Sequence, residues 1–269
     1  MQMGAPKKID CFFCGRHGIR AREHVFAKTW LDELQAGQER IVLDRRSFED
    51  DTLEDTRKHR YDSLTCGDVC GSCNSGWMSD LEGAIKPWIV GIKEKADLSS
   101  LQGPPRRLTF SRWALKTACV IDRIEGMFEI PAHIPRQLTE LREAVPQYVH
   151  VLAGWQPYEG RALFSLSQRN KWIKYPREAS EPGPAPLPSE GWFKVAFSIG
   201  CLLVLVAGVP SADYQLVVGT GGIHVPIWPS TKVVCHHFYY PLRLDGLDPS
   251  AALEKFSDLL AVSYKGRMR

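Results

Sequence analysis

Two Cys-x-x-Cys pairs, Cys11/Cys14 and Cys70/Cys73, stand 55 residues apart and constrain this chain more than any other feature. Two residues between cysteines let both thiolates of a pair reach one tetrahedral ion, and two pairs fill its coordination sphere. Four thiolates leave no position for water, so the expected ion is a structural zinc rather than a catalytic one. Such a site contributes roughly 10–16 kcal/mol, ample to fold a small module. Cys66 offers a rival spacing, three residues before Cys70, but the two-residue gap of Cys70 with Cys73 matches the first pair and is preferred. Five of the eight cysteines lie before residue 74. The first ten residues are polar and no apolar segment follows them, so no secretory leader is expected. A cytoplasmic, reducing setting, where disulfides are rare, is expected and suits cysteines used as ligands.

The chain divides by composition. Leu98-Ser99-Ser100-Leu101-Gln102-Gly103-Pro104-Pro105 reads as a loop, and a boundary there separates residues 1–104 from residues 105–269. In the first part, residues 19–25 read as a strand and residues 26–34 as a helix. Residues 39–64 mix charges and apolar residues and read as an excursion or hairpin. Residues 74–95 are helical in pattern, with Pro87 expected to split them in two. In the second part, helices are expected at 108–123 and 135–144. Strands are expected at 148–155, 162–167, 192–197, 201–206, 214–218 and 233–240, and a last helix at 249–264. The Pro-rich stretch 181–190 reads as a surface loop. The fold class is therefore α+β, a zinc-stabilised N-terminal module followed by a domain with a mainly antiparallel sheet. The longest apolar run, residues 197–210, holds 14 residues and two glycines, short of the roughly 20 that a membrane span needs. No membrane partner is expected.

Between the cysteine pairs lies Arg22-Glu23-His24-Val25, and Asn74 directly follows Cys73. An imidazole of pKa around 6.5 suits a general base near neutral pH. Hard divalent cations prefer oxygen ligands and keep several waters, so one carboxylate and one amide oxygen are sufficient protein ligands. Adjacent strand residues point to opposite faces, so the chain must bend for Glu23 and His24 to serve one site. Asn74 has an ordinary alternative role as an N-cap for the helix that follows.

This arrangement resembles the HNH, or ββα-metal, nucleases, and among them the phage resolvase branch and zinc-bearing bacterial members with a Glu-His-Val type pair. The resemblance covers about residues 10–90. It implies a ββα-metal module in which Glu23 and Asn74 hold one catalytic divalent ion, Mg²⁺ or Mn²⁺, while His24 acts as the general base. Many members carry a further Asn before the second cysteine pair, where this chain has Asp62, Ser63 and Thr65. Glu82 is a further candidate carboxylate, although Ser79-x-x-Glu82 also fits a capping box, and a place on a solvated helix face is the favoured reading. His59, beside Arg57, Lys58 and Arg60, is placed to approach a phosphate or to sit in a solvated basic run. Trp77, Leu81 and Trp88 are expected to pack the helices onto the module.

Formal net charge is +3, divided as −2 over residues 1–104 and +5 over residues 105–269. A phosphate-gripping surface is therefore expected to draw on the second part. Arg106, Arg112, Lys116 and Arg123 recur near helical spacing as a phosphate-facing stripe or a solvated helix face. His236-His237 sits in a strand pattern and reads as core, and Gly219-x-Gly221-Gly222 lacks the strand–helix setting of a nucleotide loop. The expected function is metal-dependent hydrolysis of phosphodiester bonds, with DNA as the expected partner. The alternative is a non-catalytic zinc-binding module for nucleic acid or protein, its nuclease centre decayed.

Overall fold

The computed structural model describes residues 7–33, 38, 40–46, 53–95, 98–126, 130–140, 144–155, 164–168, 173–174, 185–186, 192–200, 202–209, 214–218, 225–229, 256 and 260–264. They form an α+β structure whose sheets are mainly antiparallel. The expected strand at 233–240, with His236-His237, and the glycines at 219–222 lie outside the described residues.

The N-terminal part is built on three short strands. β1 (Lys8–Asp10) pairs with β2 (His17–His24), and β2 pairs with β5 (Thr65–Cys70), all antiparallel. Between β2 and β5 come helix α1 (Lys28–Glu33) and the hairpin of β3 (Arg40–Arg46) with β4 (Leu53–Arg60), which answers the expected excursion at 39–64. His59 lies on β4.

β5 leads straight into a helical run: α2 (Gly71–Cys73), a π-type segment (Asn74–Met78) and α3 (Ser79–Lys95). Two expectations are corrected here. The break in the run falls at Gly76 (φ −99°, ψ −118°) and not at Pro87, which sits inside an unbroken α3. Leu81, Ile85 and Ile89, four residues apart, are all buried, and this packed stripe carries the helix through its proline. Ser79 is helical (φ −61°, ψ −43°), so Ser79 and Glu82 form no capping box.

Helix α4 (Pro104–Glu125) is the axis of the structure. It starts four residues earlier than expected. Gly103 takes φ +88°, a backbone state that favours glycine, and Pro104 and Pro105 occupy the first positions, where a missing N–H costs nothing. Gly126 closes the helix at φ +72°. Its residues from Trp113 to Asp122 are all buried, which an amphipathic surface helix does not do. α4 packs against α3, β5 and α5 (His133–Glu140) on the N-terminal side. It also packs against a five-stranded antiparallel sheet.

That sheet runs β13–β6–β11–β10–β7, with β6 (Val149–Trp155), β7 (Phe164–Gln168), β10 (Phe193–Ile199), β11 (Leu202–Gly208) and β13 (Val225–Trp228). β10 and β11 are buried along their whole length, the pattern of a hairpin covered on both faces. A further sheet joins β12 (Tyr214–Val218), β14 (Leu260–Tyr264), β8 (Ile173–Lys174) and β9 (Ala185–Pro186). Residues 260–264, expected as the end of a helix, are thus a strand that pairs antiparallel with β12. Residues 185–186, expected in a surface loop, pair with β8.

Buried aromatic rings tie the N-terminal part to the sheet. The Trp113 ring lies 5.7 Å from Trp30 of α1, 5.5 Å from Phe110 and 5.6 Å from Phe197 of β10. Phe26 also meets Phe197, at 6.1 Å. The hydrophobic core therefore runs without interruption across the 104/105 position. Trp113→Ala is expected to destabilise the fold by about 3–5 kcal/mol. Equilibrium denaturation should show both parts melting together in the parent, and a Trp113→Ala loss below about 1 kcal/mol would refute this account of the core.

Candidate metal centre and the Glu23 cluster

The two cysteine pairs converge. The ligand atoms of Cys11, Cys14, Cys70 and Cys73 all lie within 4.8 Å of one another. Zn–S bonds of 2.3 Å in a tetrahedron require sulfurs about 3.8 Å apart, and Cys14 Sγ and Cys70 Sγ are 3.8 Å apart. The local backbone prepares this. The Gly15 N–H donates to the Cys11 carbonyl at 2.8 Å and the Cys11 N–H to the Arg16 carbonyl at 3.0 Å, closing a turn. Gly15 completes it at φ +68°. Across the gap, the Phe12 N–H donates to the Asp68 carbonyl at 2.8 Å, and the Cys70 N–H donates to Cys11 Sγ at 3.4 Å.

The sulfurs also compete for protons. The hydrogen bond from Cys73 draws the Cys11 thiol down to about 4, and the same contact pushes Cys73 up. Burial raises Cys70. A cation that accepts thiolates relieves this competition, and the four-sulfur donor set fits zinc. Cys66 is buried outside the cluster, and its thiol is raised to about 11 chiefly by burial. Its spacing to Cys70 is thus incidental, because β5 turns its side chain to the core.

The second gathering is at the end of β2. Glu23 is paired with Cys66 and His24 with Thr65, after a register shift that sets Arg22 against Gly67 and Asp68. The shift precedes Glu23, and pairing is regular from Glu23 to His24, so these two neighbours alternate in side and the bend expected between them is not what the strand shows. Glu23 faces inward and is only 4% exposed, whereas the following His24 is half-buried. Burial holds the His24 pKa below its ordinary value, partly offset by the Glu82 carboxylate and by a hydrogen bond to the Asp62 backbone. Asn74 reaches the same region. Its Nδ2 donates to the Arg22 carbonyl at 3.0 Å. It is helical (φ −60°, ψ −54°), and the N-cap position belongs to Cys70, so the capping role is set aside.

What the sequence did not anticipate is Lys116. Its side chain is 0% exposed, and its Nζ donates to Glu23 Oε1 at 2.6 Å and to Glu82 Oε1 at 2.5 Å. Lys116 is neither a phosphate-facing stripe nor a solvated face. Glu82 likewise lies inside, its side chain 15% exposed. Burial works against the charged forms of Lys116 and Glu23. Burial raises the Glu23 pKa against the pull of Lys116, and the two carboxylates hold Lys116 above its ordinary value despite complete burial. The signal available in the sequence was Lys116 within Trp113-Ala114-Leu115-Lys116-Thr117-Ala118-Cys119-Val120, a lone charge in an otherwise apolar helix.

The rest of the expected stripe is also engaged. Arg123 sits over the Phe12 ring at 3.9 Å, Arg106 over Trp88 at 5.9 Å, and Arg112 donates to the Leu138 carbonyl at 3.4 Å. Trp77 meets Phe13 edge-on at 5.7 Å and Leu81 is buried, in line with a packing role. No helix among the described residues is long and apolar enough to cross a membrane. No protein-family model, curated protein or solved structure matches the chain.

Elemental analysis of protein purified without added metal is expected to give about one zinc per chain. Cys73→Ser should release it, and Cys66→Ser should retain it. A second measurement concerns the buried charges. Glu23→Ala leaves Lys116 with one partner fewer and is expected to cost about 3–5 kcal/mol in denaturant unfolding, the range for breaking a buried ion pair. A loss within about 0.5 kcal/mol, the size of a neutral surface change, would show that the cluster carries no such energy.

Proposed function

We propose that the chain is a metal-dependent nuclease hydrolysing phosphodiester bonds, with DNA as substrate and a ββα-metal centre built from Glu23, His24 and Asn74. One observation carries the reading. β2 and β5 pair antiparallel and run into a helix, and this brings the Glu23-His24 pair and Asn74, 50 residues later, to adjoining positions beside the four-cysteine cluster.

In this reading the His24 imidazole takes the proton from the attacking water. Its depressed pKa keeps it unprotonated near neutral pH, and the Asp62 backbone holds the ring. Glu23 and Asn74 offer a carboxylate and an amide oxygen, a hard donor set that suits Mg²⁺ or Mn²⁺. An ion held there would stabilise charge on the phosphate and the departing oxygen. Asn74 also pins the Arg22 carbonyl and so fixes the strand that presents Glu23. Arg20 and Arg22 are exposed and alternate with the inward residues of β2, on the side that His24 takes. Successive residues on one side of a strand stand about 6.6–6.8 Å apart, a spacing that suits successive phosphates. Gly67 leaves room for the Arg20 guanidinium, whose Nε donates to the Gly67 carbonyl at 3.0 Å. The phosphate grip is therefore assigned to β2 rather than to α4.

The alternative, a non-catalytic zinc module, draws support from the Glu23–Lys116 ion pair, which gives Glu23 a purely structural occupation. A plasmid-nicking assay across Mg²⁺, Mn²⁺ and EDTA separates the two. His24→Ala is expected to slow cleavage by roughly 10²–10⁴-fold, the scale of a lost general base, while zinc content and DNA binding persist. Equal cleavage by His24→Ala would displace the assigned base. A parent protein that cuts no nucleic acid with any divalent ion would leave the non-catalytic reading standing.

A further inference from the structure

Lys116 lies 93 residues beyond Glu23 and outside the segment that resembles the nucleases, yet its ammonium is seated against the carboxylate assigned to the divalent ion. Taking the nuclease reading as its basis, we propose that Lys116 is a positioning residue of the Glu23 centre. Its ammonium is the resident cation of the Glu23–Glu82 pair, and a divalent ion binds Glu23 in competition with it.

Three features of the cluster lead there. The first is charge. Two carboxylates share a single ammonium, so the buried group is one positive charge short, and a dication would balance both. The second is geometry. Lys116 approaches from α4, whereas Glu23 comes from β2 and Glu82 from α3, so three elements converge on one point and the carboxylates are held even without an ion. The third is the kind of side chain. A lysine ammonium is a compact point charge on a flexible stem and can withdraw while its helix stays packed. Leu115 and Thr117 on either side are completely buried, so α4 itself is fixed. An ammonium and a dication on the same carboxylate repel strongly at a few ångströms. Lys116 therefore sets how much divalent ion the centre needs.

The test uses the full-length, zinc-loaded chain without nucleic acid, and reads Mn²⁺ binding by the paramagnetic resonance of free Mn²⁺. Lys116→Met is expected to bind Mn²⁺ about tenfold more tightly, or better, as the competing charge is removed. Lys116→Arg, which keeps the charge, should stay near the parent. Adding Glu23→Gln to Lys116→Met should erase the gain, and Mn²⁺ should raise the melting temperature of Lys116→Met more than that of the parent. A purely structural lysine would give no gain, with weaker or unchanged binding in a loosened protein. Unchanged or weaker binding by a folded Lys116→Met, or a gain that survives Glu23→Gln, overturns the proposal. If Lys116→Met folds only when Mn²⁺ is present, the ion has replaced the ammonium as proposed. If it fails to fold with Mn²⁺ as well, the competition is refuted. Cleavage is scored separately. An inactive parent with tighter Mn²⁺ binding in Lys116→Met removes the nuclease reading and keeps the ion competition, and an active parent with no such gain does the reverse.

Discussion

The convergence of four sulfurs from two turns 55 residues apart is the constraint on which the N-terminal architecture rests. Closing a loop of that length costs chain entropy, and the cost grows only slowly with length. A bound zinc would offset it many times over. The closure also does geometric work. It sets β1 and β2 against β5, starts the helical run at Cys70, and brings residue 74 next to the end of β2. Asn74, directly after Cys73, takes its position beside Arg22 from that closure.

The second constraint is the burial of three charges. Glu23, Glu82 and Lys116 are drawn together out of water, with the Lys116 ammonium bonded to both carboxylates. A buried ion pair adds little net stability over apolar packing, but it is costly to leave half-made. The cluster therefore acts as a registration device. It accepts only the placement of α4 that brings Lys116 to both carboxylates, and the ring contacts of Trp113 with Trp30 and Phe197 fix the same helix a turn away. Arg123 over Phe12 adds a third tie, between α4 and the first cysteine turn. Helix α4 is thus shared by the cysteine module and the five-stranded sheet.

Much of the local order was legible in the residues. Spacing identified the four cysteines that converge and favoured Cys70 with Cys73 over Cys66. Alternation placed most of the sheet strands to within a few residues, and 214–218 matched outright. The readings that failed have a common cause. Local rules break a helix at Pro87 and continue one through residues 260–264, and tertiary packing overrides both. Buried leucine and isoleucine contacts carried α3 through its proline, and ladder pairing with β12 drew 260–264 into a strand. Gly103 followed by Pro104 and Pro105 has the composition of a loop, whereas prolines at a first turn serve as helix starters.

By itself, then, the sequence determined the four clustered cysteines, most of the strands, and the nearness along the chain of Glu23 to His24 and of Asn74 to Cys73. These are short-range facts, set by residue type and spacing, and they hold whatever the rest of the chain does. Only the tertiary structure decided what Glu23 touches. A lone lysine in an apolar helix carries no mark of its partners, because ion pairs across 93 and 34 residues depend on how separate elements dock. Burial then fixes their strength, since the same charges would interact weakly in water and strongly in a dry core.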